Sequence, residues 1–323
     1  MRAIVVEEQG GPEVLAIADV PDPSPGEGEV VVRLGASGVN FIDVNQRSGA
    51  YRASVPFVPG SEGAGTVAAV GAGVEGLAVG DRVGFAAGVT GAYAEATVAP
   101  AERLVPIPDD VPTETAAAVL LQGMTAHYLA HSVCPLEDGD WCVVHAAAGG
   151  VGRLLVQLAA ARGLRVIGTT STAAKAEEVR SAGAEDVVVR TERSLADVVA
   201  ERTGGRGVRA VFDSIGRDTI DDSFASLARR GVLVVFGQSS GAPDPIPVRR
   251  LQQGGSLFVT RPGLIDYTAT RDELLWRADE VLSAVADGRL DVRVHDRLPL
   301  ERAAEAHRAL ESGTTTGKLL LVT

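Results

Sequence analysis

The run His145-Ala146-Ala147-Ala148-Gly149-Gly150-Val151-Gly152 follows the apolar stretch Trp141 to Val144 and leads into a second apolar stretch, Val151 to Ala160. Small residues between a strand and a helix leave unpaired N–H groups at the helix N-terminus. Together with the helix dipole, these amides can hold a pyrophosphate. Gly149 and Gly150 permit the turn and a close phosphate approach, and Gly152 permits close packing of helix on strand. The pattern is AxGxxG, with Ala147 at the first position, and taken alone it fits a tight glycine turn as well as a dinucleotide site. Its position in a strand–helix–strand series favours the dinucleotide.

The end of the following strand selects among dinucleotides. An acidic residue there would accept a hydrogen bond from a ribose 2′-hydroxyl, but the chain reads Ile167-Gly168-Thr169-Thr170-Ser171-Thr172-Ala173-Ala174-Lys175. Small hydroxyl residues leave room for a 2′-phosphate, Lys175 can approach it as a cation, and Arg190 after the next strand can supply a bidentate guanidinium. The competing reading is that both cations are solvated surface charges. Their placement on either side of the expected adenosine pocket favours the phosphate and hence NADPH.

Two rhythms position these residues. Up to about Gly123, short Val-rich runs (Val30 to Leu34, Gly65 to Val70, Asp81 to Phe85) are divided by Pro, Gly and Asp, which predicts a β-rich domain. From about Thr125 the rhythm lengthens. Strands are expected at Trp141 to His145, Arg165 to Thr169, Asp186 to Val189, Arg209 to Asp213, Gly231 to Phe236 and Ser256 to Val259, with helical patterns between most of them. That alternation predicts an α/β fold with a doubly wound parallel sheet. Helices are expected at Asp272 to Asp287 and Glu301 to Glu311, and Lys318 to Val322 reads as a strand returning to the first domain.

Composition narrows the class further. The 323 residues are 46% hydrophobic, ample for a core, but only 4% aromatic with 38 glycines, so Val, Leu and Ala must build it. A net charge of −12 without a basic stripe argues against a nucleic-acid partner. Cys134 and Cys142 are the only cysteines and form no CxxC pair. The N-terminus lacks a signal-peptide apolar core, and no window approaches the roughly 20 apolar residues of a membrane span. These features predict a cytoplasmic protein.

Several further runs carry a resemblance. Val39-Asn40-Phe41-Ile42-Asp43, Pro59-Gly60-Ser61-Glu62-Gly63-Ala64-Gly65, the Ala147 to Gly152 loop with Gln157, Phe212-Asp213-Ser214-Ile215-Gly216, Phe236-Gly237-Gln238-Ser239-Ser240-Gly241 and Val259-Thr260-Arg261-Pro262 span essentially the whole chain. With them the sequence resembles the zinc-free quinone oxidoreductase, or zeta-crystallin-like, branch of the medium-chain dehydrogenases and reductases. The resemblance implies a GroES-like domain from residues 1–123 and 265–323 and a Rossmann domain from 124–264. It places Asn40, Phe41 and Asn45 near nicotinamide and Tyr128 beside the domain junction. Gly150 and Val151 fall on the pyrophosphate turn, and Ser171, Lys175 and Arg190 surround the 2′-phosphate. Ser214, Phe236, Gly237, Gln238 and Ser239 approach the ribose and nicotinamide side, with Phe258 and Thr260 next to them. The family also implies a homodimer, paired through the strand near Ser256 to Val259. This chain departs from some relatives at Asn45 (tyrosine there), at Arg190 (an aromatic) and at Gly313 (an arginine).

The zinc-dependent branch of the same superfamily has a cysteine at the Asn40 position and a histidine at the Ser61 position. Neither replacement is a zinc ligand, although Glu62 remains. Without zinc an unactivated alcohol does not readily release hydride, whereas a quinone or activated enone accepts it without metal polarisation. The expected function is NADPH-dependent quinone reduction. Asn40 would orient nicotinamide and the acceptor oxygen, Tyr51 would donate a hydrogen bond or line the site, and Asp43 would tie down backbone amides in a loop. An enoyl or α,β-unsaturated carbonyl reductase is the alternative enzyme. A cofactor-binding structural or RNA-associated protein is the alternative of a different class.

Overall fold

In the computed structural model, which describes residues 1–86 and 88–323, Val-rich runs and Pro/Gly turns produce seven strands in the first part of the chain. They are β1 (Arg2–Val5), β2 (Ala16–Asp19), β3 (Glu29–Val39), β4 (Glu62–Val70), β5 (Arg82–Ala86), β6 (Ala96–Pro100) and β7 (Val105–Pro106). Helix α1 (Phe41–Ser48) follows β3, and helix α2 (Thr113–His131) follows β7. Val30, Val32, Leu34, Val67, Val83 and Phe85 alternate inward from three of these strands to form one buried cluster, as period-2 patterning requires.

The second rhythm gives β8 (Trp141–Val144), helix α3 (Gly150–Ala161), β9 (Arg165–Thr170), β10 (Asp186–Val189), β11 (Val208–Asp213), β12 (Leu227–Val235) and β13 (Phe258–Thr260). All six strands run parallel in the order β10-β9-β8-β11-β12-β13. The strand order reverses between β8 and β11, the position where doubly wound sheets bind ligands beyond the strands' carboxyl ends. Trp141–Val144 and Asp186–Val189 are buried throughout, as expected for strands with both faces covered.

The chain then returns. β14 (Val294–Pro299) and β15 (Lys318–Val322) pair with each other in parallel, and β15 pairs antiparallel with β3, Leu319 opposite Val39. The first sheet therefore has the order β14-β15-β3-β4-β5-β7, with β6 also on β3. The described residues form two units, Met1–Met124 with Tyr267–Thr323, and Thr125–Asp266. Among them, no helix is long and apolar enough to cross a membrane.

Four local expectations need correction. β3 does not stop at Leu34 but runs on to Val39. Gly35 and Gly38 are the places where the strand backbone passes close to α2 (Thr113 and Ala117). Asp43 lies in α1, not in a loop. The edge strand begins at Phe258, and Ser256 has a φ of +60°, incompatible with an extended strand there. In the cofactor loop the positive φ (+49°) belongs to Ala146, whereas Gly149 is extended.

Gly152 is required by space. A Cβ there would meet the Ala146 carbonyl oxygen at 2.3 Å and the Ala147 Cα at 2.9 Å. Because those atoms are backbone, Gly152→Ala must move α3 off β8. Overpacking of this kind typically costs about 1–3 kcal/mol, so the urea midpoint of the unliganded protein should fall. An unchanged midpoint would contradict this contact.

Candidate active site

The ends of strands β8 to β12 assemble the candidate nucleotide site within the second unit. After β8 the chain turns through Ala146, whose carbonyl accepts from Gly149 N (2.9 Å), while Ala147 N donates to Thr169 O (2.9 Å). Gly149 caps α3 without a side-chain bond, so the first-turn amides of Gly150, Val151 and Gly152 are left at the helix N-terminus. Their arrangement suits a pyrophosphate.

Beside it, Val189 lies opposite Thr170, and Arg190 N donates to Thr170 O (3.0 Å). This register brings Arg190 next to exposed Ser171, with Lys175 in the short turn Ala173–Lys175 that follows. Lys175 is partly buried, which pushes its ammonium below the usual lysine value against the opposing charge of Glu178. Asp186, at the other end of β10, is engaged by Arg193 and Arg202. No carboxylate pairs with Arg190 among the described residues.

The loops after β11 and β12 are joined by backbone bonds. Phe236 N donates to Asp213 O (2.9 Å) and Ser239 N to Ser214 O (3.1 Å), which brings Ser214 against Phe236–Ser239. Buried Asp213 organises this region by accepting from Ile215 N, Gly216 N, Thr219 Oγ1 and Ser223 Oγ. Ser223 Oγ also meets His145 Nε2 (3.1 Å), and His145 Nδ1 meets Thr169 Oγ1 (3.0 Å). Burial pushes the His145 pKa down, with Asp213 opposing. Gln238 Oε1 accepts from Arg261 (3.1 Å). On the edge strand Phe258 is 59% exposed and Thr260 is half-buried. Tyr128 is buried in α2.

A second buried polar set lies in the first unit, where α1 begins. The register of β15, β3 and β4 lines up Lys318, Asn40 and Glu62 at one end of the sheet, and Gln122 arrives from α2. Lys318 Nζ donates to Glu62 Oε2 (2.5 Å), Asn40 Oδ1 (2.7 Å) and Gln122 Oε1 (2.8 Å). Gln122 Nε2 donates to Asn40 Oδ1 (2.7 Å), and Asn40 Nδ2 donates to Gly38 O (3.0 Å) and Glu62 Oε2 (3.1 Å). Glu62 Oε1 accepts from Leu121 N (2.6 Å). Burial pushes the Lys318 ammonium below the usual lysine value, and Glu62 opposes that shift.

The Asn40 amide thus makes two donor and two acceptor bonds inside the domain, its full capacity. The resemblance assigned this amide to nicotinamide and the acceptor oxygen. Those bonds hold the amide within the first unit, and Phe41 and Ile42 are the residues that α1 exposes beside it. Asn45 is half-buried in α1, and its carbonyl accepts from Tyr51 N (2.8 Å), which ties Tyr51 to that helix.

Beneath α1, Asp43 accepts from Asn40 N (3.0 Å), Ser61 Oγ (2.8 Å) and Tyr93 OH (3.1 Å). Tyr93 OH also meets His307 Nε2 (3.1 Å), and His307 Nδ1 faces Arg47 Nη1 (3.4 Å). Burial raises the Asp43 pKa to about 6 against these donors, and burial with Arg47 lowers His307 to about 3. His307 is therefore neutral. Because Arg47 can only donate to Nδ1, the ring proton sits on Nε2 and is given to Tyr93.

Lys318, Gln122, Tyr93 and His307 escaped sequence reading, since Lys318 and Gln122 bond to Asn40 across 278 and 82 positions. Asn40 and Ser61 occupy the positions of zinc ligands in the metal-dependent branch, and here they are an amide and a hydroxyl engaged with Glu62, Lys318 and Asp43. Among the described residues no group of three or more His, Cys, Asp or Glu side chains could hold a metal.

Residues 26–109 match the alcohol dehydrogenase GroES-like domain family, and residues 150–265 match the family described as zinc-binding dehydrogenase. Quinone oxidoreductase 1 of Escherichia coli (strain K12) is 42% identical over 322 residues, covering 99% of this chain and 98% of that protein. A 2-haloacrylate reductase from a Burkholderia species is 39% identical, covering 100% and 99%. A mycobacterial protein solved in complex with NADPH is 48% identical with a TM-score of 0.97, covering 100% of both chains. With an amide and a hydroxyl at the zinc-ligand positions and this likeness along its whole length, the chain belongs to the zinc-independent quinone oxidoreductase family of the medium-chain dehydrogenase/reductase superfamily.

Proposed function

We propose that the chain reduces quinones with NADPH, without a metal, and that it does so in the cytoplasm. The observation that carries this reading is the end of β9, which has hydroxyl residues in place of an acidic ribose reader, with Ser171, Lys175 and Arg190 following β9 and β10. The residues suit the cofactor: a Cβ at Gly152 would collide with the turn, and the α3 amides stand at a helix N-terminus.

NADPH, when bound, supplies the hydride for the quinone, which with one proton becomes the hydroquinone. The first-turn amides of α3 would hold the pyrophosphate, and Lys175 and Arg190 would clamp the 2′-phosphate. Ser214 and the Phe236 to Ser239 turn, fixed by Asp213, face the ribose and nicotinamide side, with Phe258 and Thr260 adjoining and Tyr128 supporting from α2. In the first unit α1 exposes Phe41 and Ile42, and Tyr51, tied to Asn45, would donate a hydrogen bond to the acceptor or line the cleft. This is catalysis by positioning, with no nucleophile.

A second acceptor class has support in the relative named 2-haloacrylate reductase. A carbon–carbon double bond conjugated to a carboxylate or carbonyl accepts hydride by the same electronic logic. The thiols Cys134 and Cys142 are free, in keeping with a reducing compartment. A net charge of −12 disfavours a nucleic-acid partner. The homodimer reading rests on β13, which among the described residues pairs with β12 alone and carries exposed Phe258.

In an NADPH oxidation assay with ortho- and para-quinones, activity should survive exhaustive chelation. Turnover abolished by chelation and restored by zinc would defeat the metal-free mechanism, and turnover of enones alone would favour the second reading. Lys175→Ala and Arg190→Ala should each weaken NADPH binding by roughly 10- to 150-fold, the worth of one charge-assisted contact of about 1.5–3 kcal/mol, while NADH use changes much less. Retained NADPH-over-NADH selectivity in both variants would exclude the clamp. Light scattering should report a dimer, and a monomer at every working concentration would rule that assembly out.

A further inference from the structure

We infer that Lys318 is a positioning residue of the reaction: its ammonium, through Glu62 and Gln122, locks the Asn40 amide and with it the first turn of α1. This role rests on the quinone-reductase reading only for its catalytic consequence, because the lock itself is complete within the first unit.

The bonds allow one arrangement. An ammonium only donates and an ionised carboxylate only accepts. Oδ1 of Asn40 must therefore face Lys318 and Nδ2 must face Glu62. A flipped amide would place donors against Nζ and an acceptor against the carboxylate. The same reasoning fixes Gln122, whose Oε1 must face Lys318 and whose Nε2 must face Asn40. Both amide orientations are thus dictated by one buried ion pair, 3% and 0% exposed.

Residue choice agrees. Of 30 lysine and arginine residues only Lys175 and Lys318 are lysines. Three acceptors converging on one point suit a compact ammonium with three donors, whereas a planar guanidinium spreads its donors over a fork. Gly38 adds the steric counterpart: a Cβ there would lie 2.2 Å from Glu62 Oε2, 2.6 Å from Lys318 Cε and 2.7 Å from Ala117 O. The strand backbone has been left bare so that the ion pair can sit against α2.

The consequence reaches α1 by two routes. Asn40 N donates to Asp43, fixing the helix start from below, and the Asn40 side chain is held from the sheet end by Lys318. Phe41 and Ile42, which α1 exposes, follow immediately. If the amide is released, the first turn loses one of its two anchors while the Asp43 bonds and the candidate nucleotide site in the second unit remain.

The test uses Lys318→Met/Glu62→Gln in the full chain, which removes the ion pair as a unit and leaves Asp43 on its three hydrogen-bond donors. Three quantities are read beside the wild type: amide hydrogen exchange at residues 41–44, NADPH affinity by fluorescence titration, and kcat for a quinone. Exchange should accelerate about tenfold or more and kcat should fall on the order of 10- to 100-fold, the cost of a small misplacement, with NADPH affinity nearly unchanged. Exchange within twofold of wild type overturns the lock. Faster exchange with wild-type kcat overturns the positioning role, and so does a slowed reaction with unchanged exchange. If the double variant does not fold, Gln122→Leu, which alters no charge, takes the same readouts. A wild-type enzyme inactive toward every quinone sinks the proposed activity instead, and the exchange comparison still decides the lock.

Discussion

One buried ammonium–carboxylate contact, Lys318 to Glu62 at 2.5 Å, sets the geometry around Asn40 and the start of α1 in the first unit. Removing two ions from water costs several kcal/mol each, and their attraction offsets this only when the remaining donors and acceptors are satisfied. Here they are: Nζ makes three bonds, and Glu62 accepts from Lys318, Asn40 and Leu121. The pair therefore contributes chiefly definition, converting two flippable amides into fixed ones. It also explains why β15 must return across the chain to lie beside β3.

The second unit solves a similar problem with a single carboxylate. Asp213, at the end of β11, is buried and accepts from two backbone amides and two hydroxyls, and Ser223 extends the set to His145 at the end of β8. The strands on either side of the topological switch are thereby linked where their loops begin. Ser214 and the Phe236 to Ser239 turn inherit their placement from this link. The two units thus use buried polar groups for the same end, holding loop backbones that apolar packing alone would leave underdetermined.

Legibility in the sequence followed the range of the interactions. The parallel sheet, the glycine loop and the missing acid after β9 were readable because hydrophobic runs, turn residues and strand-end positions are local signals. β3 was cut short because its apolar run ends at Leu34, and the strand use of Gly35 and Gly38 depends on their close approach to α2. The positive φ at Ala146 was hidden because alanine gives no warning of it. Asn40 was recognised as a site position through resemblance, but its role was not legible: Lys318, Gln122 and Glu62 come from three other elements, and no local pattern marks a lysine before an apolar strand as an internal cation.

The most direct measurement is nuclear magnetic resonance of the protein labelled with ¹⁵N at lysine Nζ, where Lys175 and Lys318 are the only two sources of signal. A charged, triply bonded Lys318 should give an ammonium resonance at neutral pH whose protons exchange slowly and which shifts when Glu62 is replaced by glutamine. A Lys318 signal with the rapid exchange of a solvated lysine, or that of a neutral amine, would contradict the buried cation on which the placement of Asn40 and α1 depends.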